Sequence, residues 1–301
     1  MVDAIFSSRV LVYFLKQAGQ IQMESGGHKI VQPLMYAKNN TAGSYSGSDV
    51  LSTAAQAGIT AAEYEWKQYA ASVVIEGLEE AKNNGEEQVI NLLDSKITQT
   101  TETILENMDE MFLDDGTGNG GKDWNGLKNL AATANNTVGG IDASTNTWWN
   151  PSVDTSTTSP SIKNLGRKYN SLTVGNDKPN VLLTTQDIYE SYEGLIQANQ
   201  RFQDSRAADA GFENLMFKAA PILYDAYVDG TGTGAGSTGN YFYYLNTKYI
   251  RLVGLTGKWF YATPFKQPEN QDIRVAQILC YGNLIASNRK RLGAFTNLTA
   301  V

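Results

Sequence analysis

Cysteine and histidine are almost absent from this chain of 301 residues, in which Cys280 and His28 occur once each. A single cysteine excludes a disulfide within the chain, and one residue of each type excludes a structural zinc site built from Cys and His. A Ser-His-Asp or Cys-His catalytic site would need His28 itself. His28 lies in a short polar stretch, residues 26–29, which favours a surface or strand-edge position, and Cys280 is typical of a small buried hydrophobic residue.

Long apolar runs and excess positive charge are also lacking. No segment approaches the ~20 apolar residues of a membrane helix, and the N-terminus, with Asp3 and a short apolar stretch at residues 10–15, is a poor signal peptide. We therefore expect no membrane association and a cytoplasmic origin. The formal net charge of −7 argues against a protein that binds nucleic acid by neutralising phosphates. A hydrophobic fraction of 42% indicates a globular protein of one large domain or two closely packed ones.

The segments that resemble ligand-binding motifs each lack a required residue. Residues 116–122 fit a glycine-rich phosphate-binding pattern, but Asp123 stands where magnesium binding needs Ser or Thr, and a helix precedes the segment instead of a strand. The same region resembles the start of a calcium loop, but the twelfth position is Gly126 and not a bidentate Glu. We expect no cofactor and no metal site, and we interpret the segment as the glycine-rich end of a helix.

Catalysis by paired carboxylates has little support. The adjacent acids at 79–80 and 114–115 would not face each other on a helix, so we predict that the protein is not an enzyme, although a glycosidase-like pair from distant segments stays open. Aromatic side chains could instead stack on a sugar, which leaves a glycan-binding adhesin module as an alternative. Such side chains are more often core or interface residues; here they are Trp148, Trp149, Trp259, Phe260 and Tyr261.

The first quarter of the chain predicts a short helix around residues 10–15 and then an extended hairpin. Alternating residues indicate strands at 28–36 and 59–76, and the segment between them, 38–58, is small and polar. A two-stranded ribbon is marginally stable alone in water. We therefore expect the hairpin, roughly 27–76, to lie against a partner subunit.

A long helix is predicted from residue 86 to 113, because apolar residues recur three and four positions apart. Its core stripe comprises Leu93, Ile97, Ile104 and Met108, and a helix of ~28 residues would extend ~42 Å. The order of strands, long helix, mixed elements and strands indicates an α+β protein. Further helices are predicted at 162–172 and 186–197, and further strands at 180–184, 217–227, 241–253 and 275–286, with Phe295 and Leu298 in a last strand.

Together these segments resemble the major capsid proteins of tailed bacteriophages with the Hong Kong 97-type fold, over most of the chain apart from about 131–160. The resemblance is carried, in order, by residues 26–34 (GGHKIVQPL), 59–70 (ITAAEYEWKQYA), 77–80, 116–118, 208–212, 264–265, 268–272 and 275–279. It implies an N-arm at 1–26, an E-loop hairpin at 27–76, the spine helix of a P-domain at 77–115, an A-domain at 116–215, and P-domain strands at 216–301 that return toward the A-domain.

The resemblance also implies a function and partners. It implies a structural protein that assembles through hexamers and pentamers into the icosahedral shell around phage double-stranded DNA, in the virion, after assembly in the host bacterial cytoplasm. The DNA would be enclosed without sequence-specific binding. A portal and a separate scaffolding protein are expected partners, unless a leader absent from this sequence replaces the scaffold, and a decoration protein stays an open question. The alternative of the same fold is an encapsulin-like nanocompartment shell.

The resemblance finally identifies contact positions and a missing chemistry. The E-loop residues expected to touch neighbouring subunits are Lys38, Tyr45, Val50, Leu51 and Trp66. Some relatives crosslink a Lys to an Asn with help from a buried Glu. When the strand at 278–280 is aligned with theirs, the catalytic carboxylate position falls on Tyr281 and the acceptor position on Arg274. Neither residue supports that reaction, so we expect shells that are held noncovalently.

Overall fold

The computed structural model describes residues 9–82, 92–196, 215–230 and 239–300, and it has the α+β organisation expected from the sequence. The helices are α1 (Val10–Gln17), α2 (Gly77–Lys82), α3 (Leu92–Leu113), α4 (Ile162–Leu172) and α5 (Gln186–Ile196). The strands are β1 (Ile21–Glu24), β2 (Ile30–Met35), β3 (Ile59–Tyr64), β4 (Lys67–Glu76), β5 (Thr137–Val138), β6 (Ile141–Asp142), β7 (Ser152–Asp154), β8 (Val181–Thr184), β9 (Leu215–Phe217), β10 (Ala220–Tyr224), β11 (Asn240–Leu245), β12 (Ile250–Leu255), β13 (Tyr261–Ala262), β14 (Ile273–Ala286) and β15 (Gly293–Leu298).

The first sheet is built around β14, which runs for 14 residues. The strand order is β1-β12-β14-β13, and β4 also pairs antiparallel with β14, from Ile273 opposite Glu76 to Gly282 opposite Lys67. Strand β1 adds to this sheet in parallel with β12, and α1 buries its apolar side chains in the same core. The described part of the N-terminal segment is therefore held by its own subunit, and residues 1–8 of the expected N-arm lie outside the described residues.

The second sheet has six strands in the order β7-β15-β11-β8-β10-β9 and is covered on both faces. In β11, Tyr243 and Leu245 lie in the main core, whereas Phe242 and Tyr244 lie in a second core formed with α4 and α5. A strand buried on both faces has a continuous apolar sequence instead of an alternating one. The residues of β8, Val181 to Thr184, have this pattern and are all buried.

The expected hairpin of residues 27–76 is too long. Strands β2 and β3 do pair antiparallel, with Ile30 opposite Tyr64 and Met35 opposite Ile59, but β4 leaves the ribbon and pairs with β14. The separation occurs at residues 65–66, between the two strands. The buried positions change from even numbers in β3 to odd numbers in β4. This change of phase is the signal in the sequence that separates the two strands.

Two later strand predictions were also wrong in their extent. The strand expected at 241–253 is two strands in different sheets, because Asn246 caps a turn at Thr247–Tyr249 by accepting a hydrogen bond from the backbone N–H of Lys248 at 3.2 Å. The strand expected at 217–227 is a tight hairpin of β9 and β10, which turns at Lys218 with φ of 57°. Strands β9, β10 and β11 share a sheet with β8, so the division expected at residue 216 falls inside a sheet.

Helix positions agree better with the sequence pattern. The helix predicted at 162–172 is confirmed as α4, and Ser161 caps it by accepting a hydrogen bond from the N–H of Asn164. The long helix α3 ends at Leu113 as predicted, whereas residues 86–91 of the predicted helix lie outside the described residues. In the described part of the chain, no helix is both long and apolar enough to span a membrane.

Candidate assembly surfaces

The root of the β2–β3 hairpin is packed against its own subunit. Period-2 alternation puts Ile30, Leu34, Ala62 and Tyr64 on one face, and all four side chains are buried. The hydroxyl of Tyr64 donates a hydrogen bond to the carbonyl oxygen of Ala286 at 2.8 Å. This face therefore belongs to the subunit core.

Polar contacts around the root add to this attachment. Arg251 donates from Nη1 to Oε1 of Gln32 at 2.9 Å, so β12 is joined to β2. The Trp66 indole N–H donates to the carbonyl oxygen of Gly27 at 2.9 Å and closes the base of the hairpin. Trp66 is half-buried and packs against the core. Its indole therefore holds the hairpin base to its own subunit, and a contact of Trp66 with a neighbouring subunit stays a prediction.

The opposite face of the hairpin is apolar and exposed. Met35 and Ile59 are cross-strand partners, and 83% and 76% of their surfaces are accessible. Val31 lies on the same face and is also exposed. Beside this face, Lys29 makes ion pairs with Glu63 at 3.2 Å and Glu65 at 3.3 Å. A contiguous exposed apolar surface with a charged border is typical of a protein interface.

The hairpin tip, residues 37–57, extends without support from the rest of the described chain. Its hydrogen bonds join tip residues to each other, for example the N–H of Asn40 to Oε1 of Gln56 at 3.3 Å and that of Ser46 to Oδ2 of Asp49 at 2.8 Å. Val50 is 98% accessible, the highest value among the exposed large apolar side chains. The other predicted contact residues of the tip are also exposed, namely Lys38, Tyr45 and Leu51.

Helix α3 carries the predicted stripe, but its first part lies at the surface. Ile104 and Met108 are fully buried, and Ile97 is half-buried against the core. Leu93, in contrast, is 40% accessible and does not belong to the subunit core, contrary to the sequence prediction.

A buried charged cluster joins the N-terminal segment to α3, and sequence reasoning missed it. Arg9 Nη1 lies 3.5 Å from Oδ2 of Asp109, whose side chain is almost inaccessible. The pKa of the Asp109 carboxyl is raised to about 7 by burial and, to a smaller extent, by the charge of Asp225, while Arg9 opposes the shift. Burial also raises the pKa of Asp225. No local motif marks these three residues, because they are separated by about a hundred positions in the sequence.

The segments weighed as chemical sites have structural roles in the described part of the chain. Residues 116–121 form a turn after α3 that includes the positive-φ residues Gly116, Asn119, Gly120 and Gly121. Before the turn, Asp115 Oδ1 accepts hydrogen bonds from the N–H and hydroxyl of Thr117. Burial raises the pKa of the Cys280 thiol to about 12, so it is a poor nucleophile, and His28 is exposed. Among the described residues, no group of three or more His, Cys, Asp or Glu side chains is arranged to hold a metal.

The aromatic residues weighed for sugar stacking have partners within the subunit. Trp149 is buried and donates from its indole N–H to the carbonyl oxygen of Val138 at 2.9 Å. Trp148 stacks on Tyr36 at 4.9 Å between ring centroids, which attaches the hairpin root to the segment before β7. Trp259 packs edge-on against Phe260, and only Tyr261 of the five is largely exposed. These residues therefore do not form an open aromatic platform.

Comparison with known proteins identifies the fold through structure alone. No family model matches the sequence, and no curated protein matches it either. The capsid asymmetric unit of cyanophage A-1(L) matches with a TM-score of 0.70 at 13% sequence identity, over 95% of this chain and 92% of that chain. The capsid of a native GTA particle matches with a TM-score of 0.62 at 10% identity, over 95% and 90% of the two chains.

An encapsulin has the same architecture over a smaller part of the chain. The SrpI encapsulin of Synechococcus elongatus PCC 7942 matches with a TM-score of 0.58 at 9% identity, over 80% of this chain and 77% of that chain. The matches to the cyanophage and GTA capsids extend over nearly the whole length of both chains, and they confirm the fold expected from the sequence. The chain therefore has the Hong Kong 97-type fold of phage capsid proteins.

Proposed function

We propose that this chain is the major capsid protein of a tailed bacteriophage, a structural protein and not an enzyme, which assembles into an icosahedral shell around double-stranded DNA. The observation that carries the proposal is the two-faced hairpin: its inner face is bound to its own subunit, while Met35 and Ile59 on the outer face are uncovered. An exposed apolar face of this kind is typical of a surface that another molecule covers. In a closed shell, a neighbouring copy would cover it at every position.

The domain assignment follows the two sheets. We propose that β2, β3 and the tip form the E-loop, that α3 is the spine of a P-domain containing β1, β4, β12, β13 and β14, and that the six-stranded sheet with α4 and α5 forms the A-domain. This assignment moves β9, β10, β11 and β15 from the P-domain to the A-domain. It also leaves only residues before Arg9 as a candidate N-arm that reaches another subunit.

The expected partners follow from this role. Copies of the chain would form hexamers and pentamers, with a portal, a scaffolding protein and, as a further candidate, a decoration protein completing the particle. The net charge of −7 suits a wall that lies beside DNA without binding its phosphates. The DNA would be enclosed without sequence-specific binding. The virion is the proposed location, and the host bacterial cytoplasm is the proposed place of assembly.

An encapsulin-like shell is the second candidate, supported by the SrpI match. That match has a lower TM-score and covers less of the chain than the cyanophage capsid does. The two functions differ in particle size and contents: a phage capsid holds a genome, whereas a nanocompartment is a smaller cage with protein cargo. A glycan-binding adhesin would instead be a monomer that binds sugar.

Light scattering and electron microscopy of the purified protein test the proposal. We expect closed icosahedral shells, with scaffolding protein supplied where the chain alone does not assemble. The double variant Met35→Asp with Ile59→Asp should stay a folded, unassembled subunit, because two unpaired carboxylates on the outer face would be buried at each contact. The matched control, Met35→Leu with Ile59→Val, keeps the face apolar and should assemble. A monodisperse monomer under all concentrations and salts, with scaffold present, would contradict the proposal.

A further inference from the structure

A polar cleft lies at one edge of the six-stranded sheet, outside the hairpin and the buried cluster described above. It has a volume of about 360 Å³ and lies between the edge strand β7, the loop that follows it, and helix α4. This volume is in the range of sites for small ligands. Both of its cations, Arg167 and Lys168, come from α4, and Asp154 at the end of β7 supplies the opposite charge.

Lys168 is the unusual residue of this cleft. Only 8% of its surface is accessible, and among the described residues its ammonium group has no ion pair and no hydrogen bond. Its Nζ lies over the ring of Phe295, 5.5 Å from the ring centroid. Asp154 attracts the ammonium only at longer range. The ammonium itself is not enclosed, because Lys168 Nζ is not among the fully buried polar atoms that lack a hydrogen-bond partner. It opens onto the cleft, where water or a ligand can supply the hydrogen bonds that a charged group needs.

The helix holds this ammonium in place. Asn164, Lys168 and Ser171 recur at spacings of four and three residues and therefore share the face of α4 that lines the cleft. The adjacent face of the helix packs Leu165, Tyr169 and Leu172 into the second core. The position of Lys168 is thus fixed by the fold, with an amide and a hydroxyl beside it, and little ordering remains to be done when a ligand binds.

The charges of the cleft indicate what it can accept. The two cations and the Asp154 carboxylate leave a net charge of +1, which a single negative charge would neutralise. Asp154 accepts a hydrogen bond from the N–H of Ser156 at 3.0 Å, which lowers the pKa of its carboxyl and keeps it ionised. A group with two negative charges would be repelled by Asp154, whereas a carboxylate could pair with Lys168 and accept a hydrogen bond from the Asn164 amide.

We infer that this cleft is a binding site for a single carboxylate group, with Lys168 as its charged partner. Two sources could supply the carboxylate: a free small carboxylic acid, or an Asp or Glu side chain of a neighbouring copy of the chain. Burial lowers the pKa of Lys168 to about 8, so the ammonium is charged at pH 7 and binding should weaken as the pH rises above 8.

The experiment uses the full-length unassembled subunit and sodium acetate as the probe, with sodium chloride at equal ionic strength as the reference. At pH 7 and 100 mM acetate, we expect the melting temperature of the wild-type protein to rise by about 2 °C. Acylation of the Lys168 amine, followed by peptide mass spectrometry, should slow about threefold in acetate. Both effects should persist in Lys163→Met, a control at an exposed position of the same helix, and the melting effect should be absent in Lys168→Met.

Assembled particles distinguish the two sources. If Lys168 is protected from acylation in particles without acetate, while the free subunit is protected only by acetate, a carboxylate of a neighbouring copy occupies the cleft. If particles also need acetate for protection, the ligand is free in solution. The inference is overturned if acetate slows acylation in neither the subunit nor the particle, or if Lys168→Met keeps the acetate-dependent stabilisation. The acylation measurement on wild-type protein decides the question even if Lys168→Met does not fold, and none of the subunit measurements depends on shell formation.

Discussion

The hydroxyl of Tyr64 and the backbone of Ala286 lie in hydrogen-bond contact, although 222 residues separate them in the sequence. The hydroxyl donates to the Ala286 carbonyl at 2.8 Å and accepts from its N–H at 3.3 Å, and burial raises the pKa of the phenol well above its usual range. The hairpin root is therefore tied to the end of β14. Because this tie is independent of the tip, the tip can be removed without breaking it.

Replacing residues 41–55 by a short Gly-Ser turn should leave the subunit folded and prevent shell formation. The tip buries almost no apolar surface in its own subunit, so its loss should change the free energy of unfolding by less than about 1 kcal/mol. Circular dichroism and thermal melting report the fold, and light scattering reports assembly. We expect near-wild-type spectra and no shells, or only fragile ones.

A control for this excision keeps the length of the tip and its Tyr45, Val50 and Leu51 side chains, and changes the remaining residues of 41–55 to Gly and Ser. If the three apolar side chains make the contact to a neighbour, this control should still assemble. Normal particles from the excised protein, with wild-type melting, would disprove the E-loop assignment. Failure of the excised protein to fold would show that the tip belongs to the core.

Ile104→Asp and Leu93→Asp should have opposite consequences although both lie on one helix. Ile104 is fully buried, so an unpaired carboxylate there costs several kcal/mol, comparable to the ~5–15 kcal/mol stability of a typical domain. Leu93 is 40% accessible, so its replacement should change stability by about 1 kcal/mol or less. The measurement is solubility and thermal melting of both variants. Native-like melting of Ile104→Asp would refute the placement of Ile104 in the core.

Asp109→Asn should make the protein less sensitive to pH. The folded-state pKa of Asp109 lies above its ordinary value, so the group favours the folded state when protonated, and this contribution is lost as the pH rises from about 4 through 7. The asparagine variant lacks this loss and should be more stable than wild type at pH 8, by up to about 4 kcal/mol, and similar to it near pH 4.

The measurement for Asp109 is urea unfolding of both proteins between pH 4 and 8. The difference between their unfolding free energies is the informative quantity, because it cancels the other titrating groups that the proteins share. Glu102→Gln, at an exposed position of the same helix, is the control and should show no such trend. A pH-independent difference for Asp109→Asn would contradict the raised pKa.

Mature particles should separate into single chains on denaturing electrophoresis. The two positions aligned with the crosslinking pair are Arg274 and Tyr281, both in β14, and neither an arginine nor a tyrosine supplies the acceptor amide or the carboxylate. We expect one band at the mass of the monomer after boiling with reductant. A ladder of larger covalent species that survives this treatment would show that a different residue pair reacts.

Periodicity in the sequence was sufficient for elements whose surroundings repeat regularly. Helix α4 was predicted from its spacing of apolar residues, and the fold class was predicted from the order of such segments. The break between β3 and β4 was not predicted, although the buried positions change from even numbers in β3 to odd numbers in β4 across residues 65–66. Which strand pairs with which depends on distant residues, and alternation carries no information about partners.

The candidate surfaces were predictable only in part, for a similar reason. The tip is polar and glycine-rich, so its exposure followed from composition. Trp66 was placed with the other E-loop residues, but its indole N–H donates to the carbonyl oxygen of Gly27, 39 residues earlier, at the hairpin base. Lys168 and Asp109 were not singled out at all, because only the tertiary packing that buries them makes them unusual.

The two sheets share one apolar core, since Tyr243 and Leu245 of the six-stranded sheet lie in the same cluster as Leu252 and Leu284 of the five-stranded sheet. Protein interiors packed in this way have low compressibility. Each subunit should thus deform little under load, and the contacts made by the exposed hairpins should deform more. Under internal pressure, a particle built from this chain would expand at the contacts between subunits before any subunit deforms. Its elasticity would then be set by the hairpin surface and not by the core.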